Sequence, residues 1–102
     1  MQSQILLQTV QDDKAFYFYT KIGSPTGQKA HSLKEFAEML KRVEPASIAF
    51  HSARGDFEKW LMMLQDKTLA TKFASTRREK LTPLQLKNKL SKLADDRVKR
   101  LK

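Results

Sequence analysis

The spacing of hydrophobic residues along the chain predicts a mainly helical protein with a small β element at its N-terminal end. Residues 4–10 and 15–20 are rich in β-branched, aromatic and aliphatic side chains, and the polar insert 11–14 between them has turn chemistry. This pattern favours a short hairpin. In residues 16–19 the alternation Phe-Tyr-Phe-Tyr places the phenylalanines on one face of a strand and the tyrosines on the other. The following stretch 23–27 is a turn by composition.

The middle of the chain carries successive helix signals. Ser32 and Glu35 form a capping box ahead of an apolar stripe with i, i+3, i+4, i+7 spacing, and Pro45 ends that helix. Further helices are predicted over 47–52 and after the capping residues Asp56 and Asp66. The body of the protein is therefore expected to be a compact helical cluster.

The clearest helix start lies in the last segment. Thr82, Pro83 and Gln85 combine an N-cap, a proline at the first helical position and a capping-box glutamine. The pattern predicts a long amphipathic helix of about 19 residues from there. Its apolar stripe consists of Leu86, Leu90, Leu93, Ala94, Val98 and Leu101. The predicted organisation is a small, mainly helical domain over 1–75, followed by a basic linker and an amphipathic C-terminal helix over 76–102.

Positive charge is concentrated in this last third. Residues 1–64 contain 8 Lys and Arg against 7 Asp and Glu, whereas residues 65–102 contain 12 against 4, in a chain of net charge +9. A basic end on a nearly neutral body is typical of a module that binds a polyanion, most often nucleic acid. The candidate nucleic-acid-binding residues are Arg77, Arg78, Lys80, Lys87, Lys89, Lys92, Lys99 and Arg100.

Other features of the segment limit this hypothesis and leave alternatives open. There is no groove-reading motif and no aromatic residue after Phe73, while Asp95 and Asp96 interrupt the basic face. Binding is therefore expected to involve the phosphate backbone and to tolerate any sequence, and the pattern does not distinguish DNA from RNA. The charges are alternatively a solvated surface. The apolar residues Leu86, Leu90, Leu93, Val98 and Leu101 are alternatively a docking face for a protein partner or a second copy of the chain, or they fold back to complete the core.

Composition argues against several function classes. The 102 residues include no cysteine and only two histidines, His31 and His51, which lack metal-ligand spacing. No cofactor, metal, membrane association or secretion is indicated, and a cytoplasmic location is expected. Ser47, His51 and Asp56 have the residue types of a hydrolase triad, but no nucleophile elbow accompanies them. A non-enzymatic protein is therefore predicted, with His51, Arg54 and Asp56 hydrogen-bonded at a helix junction.

One run of residues carries a family resemblance. His51, Arg54, Gly55, Asp56, Phe57 and Trp60 form the pattern His-x-x-Arg-Gly-Asp-Phe-x-x-Trp. With the surrounding block, about residues 16–74, this pattern resembles a domain-of-unknown-function family of small archaeal and bacterial proteins. The resemblance implies a compact helical module without an assigned activity, so it transfers no functional residues. The basic tail after residue 75 is expected to lie outside it.

Overall fold

The computed structural model describes residues 6–101 as one hydrophobic core enclosed by a hairpin and helices. A single 3₁₀ turn, Asp12–Lys14, precedes the antiparallel strands β1 (Phe16–Lys21) and β2 (Ser24–Ala30). Five helices follow the hairpin: α1 (Leu33–Arg42), α2 (Pro45–Arg54), α3 (Asp56–Met63), α4 (Lys67–Arg77) and α5 (Pro83–Leu101). The predicted fold class, a mainly α cluster with an N-terminal hairpin and a long C-terminal helix, is confirmed.

The hairpin lies later in the chain than predicted, because the segment predicted as its second strand is its first strand. Residues 6–10 form no strand, and residues 4–5 of that predicted strand lie outside the described residues. Instead β1 pairs with β2 around Ile22 and Gly23, and the insert 11–14 contains the 3₁₀ turn. The predicted turn over 23–27 is correct only at Gly23, whose φ of 82° suits a tight reversal. β2 was missed because all of its side chains except Ala30 are exposed or half-buried, so its sequence carries few apolar residues.

The alternation within β1 positions this sheet on the core. Phe16 and Phe18 are buried, whereas Tyr17 is 42% exposed, which confirms the predicted assignment of faces. The two phenylalanine rings pack against Phe36 of α1 and Phe57 of α3, with ring centroids 5.1–6.4 Å apart. The core is thus aromatic where the sheet meets the helices.

The predicted helix starts are mostly confirmed. The Ser32 hydroxyl accepts from the Glu35 N–H at 3.1 Å, and the Asp66 carboxylate accepts from the Leu69 N–H at 3.1 Å. The Glu35 carboxylate departs from the capping-box pattern, since it accepts from the N–H of His31 at 2.8 Å. The helix predicted over 47–52 is longer, because Pro45 occupies its first turn.

The prediction that Asp56 caps α3 is wrong. Gly55 holds the N-cap position with φ 74°, and it also ends α2 in the left-handed conformation that favours glycine. The Asp56 side chain makes no capping bond and binds side chains of α2 instead. One left-handed residue therefore joins α2 directly to α3.

The C-terminal helix begins and extends as predicted. Thr82 and Gln85 exchange hydrogen bonds of 3.0 and 3.2 Å, and α5 spans 19 residues. The helix packs against α1, α2 and α4, where its apolar stripe completes the core. Among residues 6–101, no helix combines the length and apolarity that crossing a bilayer requires.

Candidate functional site

Four of the predicted nucleic-acid-binding residues share the outward face of α5. Lys89, Lys92, Lys99 and Arg100 are all exposed and lie on the side of the helix opposite its buried stripe. Together they define what we call the outer α5 face. Because the buried stripe fixes the rotation of α5 on the body, these four cations are held toward solvent.

Carboxylates neutralise part of the outer α5 face. Lys89 pairs with Glu79, Lys92 pairs with Asp96 at 3.5 Å, and Lys99 pairs with Asp95 at 3.3 Å. Asp95 also pairs with Lys41 of α1 at 3.2 Å. Hydrogen bonds from Lys41 and from Lys99 lower the pKa of the Asp95 carboxyl. Arg100 has no carboxylate partner among residues 6–101. The aspartates therefore weaken the field of this face, as the sequence predicted.

The remaining predicted cations lie elsewhere. The Lys87 ammonium donates to the Val43 carbonyl at 2.8 Å, so this side chain turns toward the body and is not on the outer α5 face. Arg77 donates to the Ser52 carbonyl at 3.3 Å and pairs with Glu58 at 3.1 Å. Arg78 and Lys80 are exposed at the connection between α4 and α5, with no carboxylate partner in the described part of the chain.

The apolar face proposed for docking is occupied by the protein itself. Leu86, Leu90 and Val98 are buried in the common core, and Leu93 and Leu101 pack against it with partial exposure. These five side chains match the third alternative, in which the tail folds back to complete the core. The sequence pattern was ambiguous because an amphipathic stripe looks the same whether it packs within its own chain or on another.

His51 lies at the centre of a second cluster, between β1, α2 and α3. Its Nδ1 is 2.8 Å from Asp56 Oδ2, and its Nε2 accepts the Tyr19 backbone N–H at 2.8 Å. A backbone N–H is always a donor, so Nε2 carries no proton and the neutral ring donates from Nδ1. Arg54 Nε donates to the same Asp56 oxygen at 3.1 Å. The predicted hydrogen-bonded arrangement of His51, Arg54 and Asp56 is therefore present.

Burial governs the protonation of His51. Removal of the ring from water lowers the pKa of His51, against the opposing effect of the Asp56 carboxylate. Both ring nitrogens are already hydrogen-bonded, to Tyr19 and to Asp56. The hydroxyl of Ser47, the third residue with a triad-type side chain, is buried and has no hydrogen-bond partner among the described residues. The ring is thus held as a neutral connector between a strand and a helix junction.

A cavity of about 330 Å³ opens beside this cluster. Its walls come from β1, the Ile22–Gly23 turn and the C-terminal half of α2. The lining residues are Phe16, Tyr17, Tyr19, Ile22, Gly23, Phe50, His51, Arg54 and Asp56. The sequence predicted the polar trio but not the cavity, because the lining residues come from β1, the following turn, α2 and the start of α3, and local patterns do not show how these elements pack together.

Two further polar clusters were not predicted. His31 Nε2 lies 2.6 Å from Asp12 Oδ1, and Nδ1 lies 3.2 Å from Glu35 Oε1, so both carboxylates raise the pKa of His31, with Asp12 the stronger. Separately, the fully buried Asp66 carboxylate binds Arg97 of α5 at 3.1 Å. The i, i+4 spacing of His31 and Glu35 was the only signal in the sequence, because the other contacts join distant segments.

Comparison with known proteins assigns most of the chain to one family. A family model described as DUF5752, a family of unknown function, matches residues 1–95. The match extends beyond the 16–74 block in both directions and includes most of α5, so the expectation that the tail lies outside the family is corrected. No curated protein and no solved structure matches the chain.

Proposed function

We propose that this protein is a small non-enzymatic nucleic-acid-binding protein. The chain belongs to the DUF5752 family of unknown function, and this membership implies no activity. In this role the outer α5 face contacts the phosphate backbone of nucleic acid without reading its sequence. DNA is the nucleic acid that we propose first. The connection between α4 and α5, with Arg78 and Lys80, extends the contact surface.

The orientation of α5 is the observation that carries this proposal. Lys89 and Arg100 are eleven positions apart, which corresponds to about 16 Å along the helix axis at 1.5 Å per residue. Duplex DNA carries one phosphate charge per about 1.7 Å of its axis, so this row of cations spans several phosphates. The net charge of +9 adds long-range attraction for a polyanion.

The ion pairs on the outer α5 face are compatible with phosphate binding. The Lys92–Asp96 and Lys99–Asp95 pairs join exposed or half-exposed side chains, and such pairs contribute only about 0–1 kcal/mol. A phosphate group can replace a carboxylate at little cost. Since α5 carries no aromatic side chain to stack on a base, the binding should tolerate any sequence.

Fluorescence anisotropy with a labelled duplex of about 20 base pairs tests the proposal. In the test variant the four cations of the outer α5 face become glutamine: Lys89→Gln, Lys92→Gln, Lys99→Gln and Arg100→Gln. The matched control removes the same charge from exposed lysines on other elements: Lys21→Gln, Lys34→Gln, Lys59→Gln and Lys67→Gln. We expect the test variant to weaken binding about tenfold or more at low salt, and the control to weaken it much less.

Salt dependence provides a second readout. If about four phosphates are neutralised, log affinity should fall with log salt at a slope of about −3 to −4, and this slope should flatten in the test variant alone. Equal losses in both variants would overturn the assignment to the outer α5 face. Absence of binding to duplex and single strand at about 50 mM salt would overturn the nucleic-acid proposal itself.

A further inference from the structure

The cavity beside His51 has the composition of a site for a small ligand. Its volume of about 330 Å³ lies at the lower end of the range for small-molecule pockets. Tyr17, Tyr19 and Phe50 supply aromatic walls, and Ile22, which is 78% exposed, lies at its rim. None of its lining residues belongs to α5, so the cavity is separate from the proposed nucleic-acid-binding surface.

Among residues 6–101, Arg54 is the one cation that lines this cavity, and its guanidinium is already oriented. Its carbon Cζ lies 5.1 Å from the centre of the Phe50 ring, over which the guanidinium is placed, and its Nε donates to Asp56. The two terminal nitrogens have no hydrogen-bond partner among residues 6–101. A guanidinium held in this way presents paired N–H groups that match the two oxygens of a carboxylate.

The other polar groups of the cavity are less available to a ligand. Both nitrogens of His51 are occupied, and one Asp56 oxygen accepts from His51 and Arg54 together. The Asp56 side chain is 21% exposed, compared with 49% for Arg54, so the guanidinium is the more accessible charge. Arg54 also covers the Phe50 ring that a cationic ligand would need.

We propose that this cavity binds a small aromatic carboxylate, whose ring packs among the tyrosines and Phe50 while its carboxylate pairs with the terminal nitrogens of Arg54. The aromatic walls select a planar apolar group, and the half-exposed guanidinium selects negative charge. The His51–Asp56 pair acts beneath the site as positioning residues that hold Arg54 in place.

Three probes of similar shape test the selectivity of the full-length, ¹⁵N-labelled protein. Phenylacetate is the anion, phenylacetamide is its neutral analogue and phenethylamine is the cation. We expect phenylacetate to shift the backbone resonances of Tyr19 and Gly23 and the Nε–H resonance of Arg54. The other two probes should bind at least about tenfold more weakly, because each lacks the charge-assisted pair with Arg54.

Variants separate the site from general attraction to a basic protein. Arg54→Gln should weaken phenylacetate binding about tenfold, whereas the control Arg42→Gln, an exposed arginine of α1, should leave it unchanged. Ile22→Ser at the exposed rim should weaken binding without disturbing the core, which keeps the test valid if Arg54→Gln unfolds the protein. Equal or tighter binding of phenethylamine, or no shift of the lining resonances with about 10 mM phenylacetate, would overturn the proposal.

Discussion

The His51 ring connects three elements through its two nitrogens. Nε2 accepts from β1 through the Tyr19 N–H, and Nδ1 donates to Asp56 at the start of α3, while the residue itself belongs to α2. Phe16, Phe18 and Phe57 surround the ring with centroids 4.8–6.0 Å away. His51 therefore fixes how the hairpin sits against the α2–α3 junction, and through Asp56 it also orients Arg54.

Replacement of His51 should destabilise the fold. In His51→Phe the apolar volume is kept, but the Tyr19 N–H loses its acceptor and Asp56 loses one donor. Leaving such partly buried groups unsatisfied costs about 1–3 kcal/mol, which urea denaturation at about pH 7.5 measures. His31→Gln, at a half-buried histidine whose two carboxylate partners lie at the surface, is the control and should have a smaller effect. A free energy of unfolding within about 0.5 kcal/mol of wild type would contradict the connector role.

The two histidines should give opposite pH dependences. Burial lowers the pKa of His51 below its ordinary 6.5, so its contribution to stability is complete above 6.5 and is lost as pH falls through the folded-state pKa. Asp12 and then Glu35 raise the pKa of His31, so its contribution is complete below 6.5 and is lost as pH rises through the folded-state pKa.

Single-histidine proteins separate these effects, since the chain has only two histidines. Between about pH 5.5 and 8, the stability of His31→Gln should fall with falling pH, and that of His51→Phe should fall with rising pH. Denaturation midpoints at several pH values provide the measurement. Parallel pH profiles in the two variants would show that the assigned pKa directions are wrong.

Gly55 is constrained both by its left-handed backbone conformation and by the close approach of a neighbouring side chain. Its φ is 74°, and a Cβ there would lie 3.1 Å from Arg77 Nη1. Gly55→Ala should cost at least the roughly 1–2 kcal/mol of the left-handed conformation. Gly23→Ala is the matched control, because φ there is 82° but nothing lies within 4 Å of the added Cβ. Equal losses of stability in thermal unfolding would mean that the Arg77 side chain moves away from the added methyl group without a loss of stability.

Local sequence patterns predict the contacts that a side chain makes within a few residues, but not its contacts with distant groups. Ser32, Asp66 and Thr82 were identified as caps because a cap depends on atoms two or three residues away. Asp56 was misassigned as a cap because its partner His51 lies in the preceding helix. A side chain that chooses between its own backbone and a distant group cannot be assigned from local sequence alone.

Among the elements, α5 contributes a whole side of the core. Leu90 is 1% exposed, whereas Leu84 on the same helix is 58% exposed. Leu90→Ala should therefore cost about 2–5 kcal/mol through the cavity it leaves, while Leu84→Ala should change stability by less than about 0.5 kcal/mol. Chemical denaturation of both variants tests this contrast. Similar small losses would indicate that α5 does not pack on the body in solution.

An ion pair between the buried Asp66 carboxylate and Arg97 holds α5 against the start of α4. Asp66 caps α4 and receives Arg97 from α5, and its side chain is fully covered. In Arg97→Met the carboxylate would stay buried without its cation, which costs up to about 3–5 kcal/mol. Lys92→Met, at an exposed pair on the opposite face, should cost less than about 1 kcal/mol. Comparable costs in urea denaturation would contradict this structural role of Asp66.

The elements themselves were predictable to different degrees. α5 was predicted accurately because its start, stripe and length agree within one continuous segment. β2 was missed because its polar sequence makes sense only opposite β1. The cavity lies where β1 and its turn meet α2 and the start of α3, and local patterns do not predict this packing, even though the chain's distinctive run supplies three of its polar residues.

The concentration of positive charge in the last third of the chain corresponds to one element of the structure, α5. The C-terminal helix is at once a core element and the carrier of an outward basic row, so one of its faces packs within the protein while the other meets solvent. Truncation at residue 75 would remove Leu86, Leu90, Ala94 and Val98 from the core. Loss of nucleic-acid binding in such a truncation would therefore not separate the loss of contacts from unfolding, and full-length charge variants are required.

Removal of negative charge from α5 tests whether the outer α5 face or the total charge of the protein attracts nucleic acid. Asp95→Asn with Asp96→Asn releases Lys92 and Lys99 from their partners and removes repulsion toward phosphate. If the outer α5 face is the contact surface, affinity for a DNA duplex should rise several-fold at low salt, with a steeper salt dependence. Asp13→Asn with Glu38→Gln makes the same change in charge at exposed positions elsewhere. An equal gain in both double variants would mean that total charge, rather than this face, determines the binding.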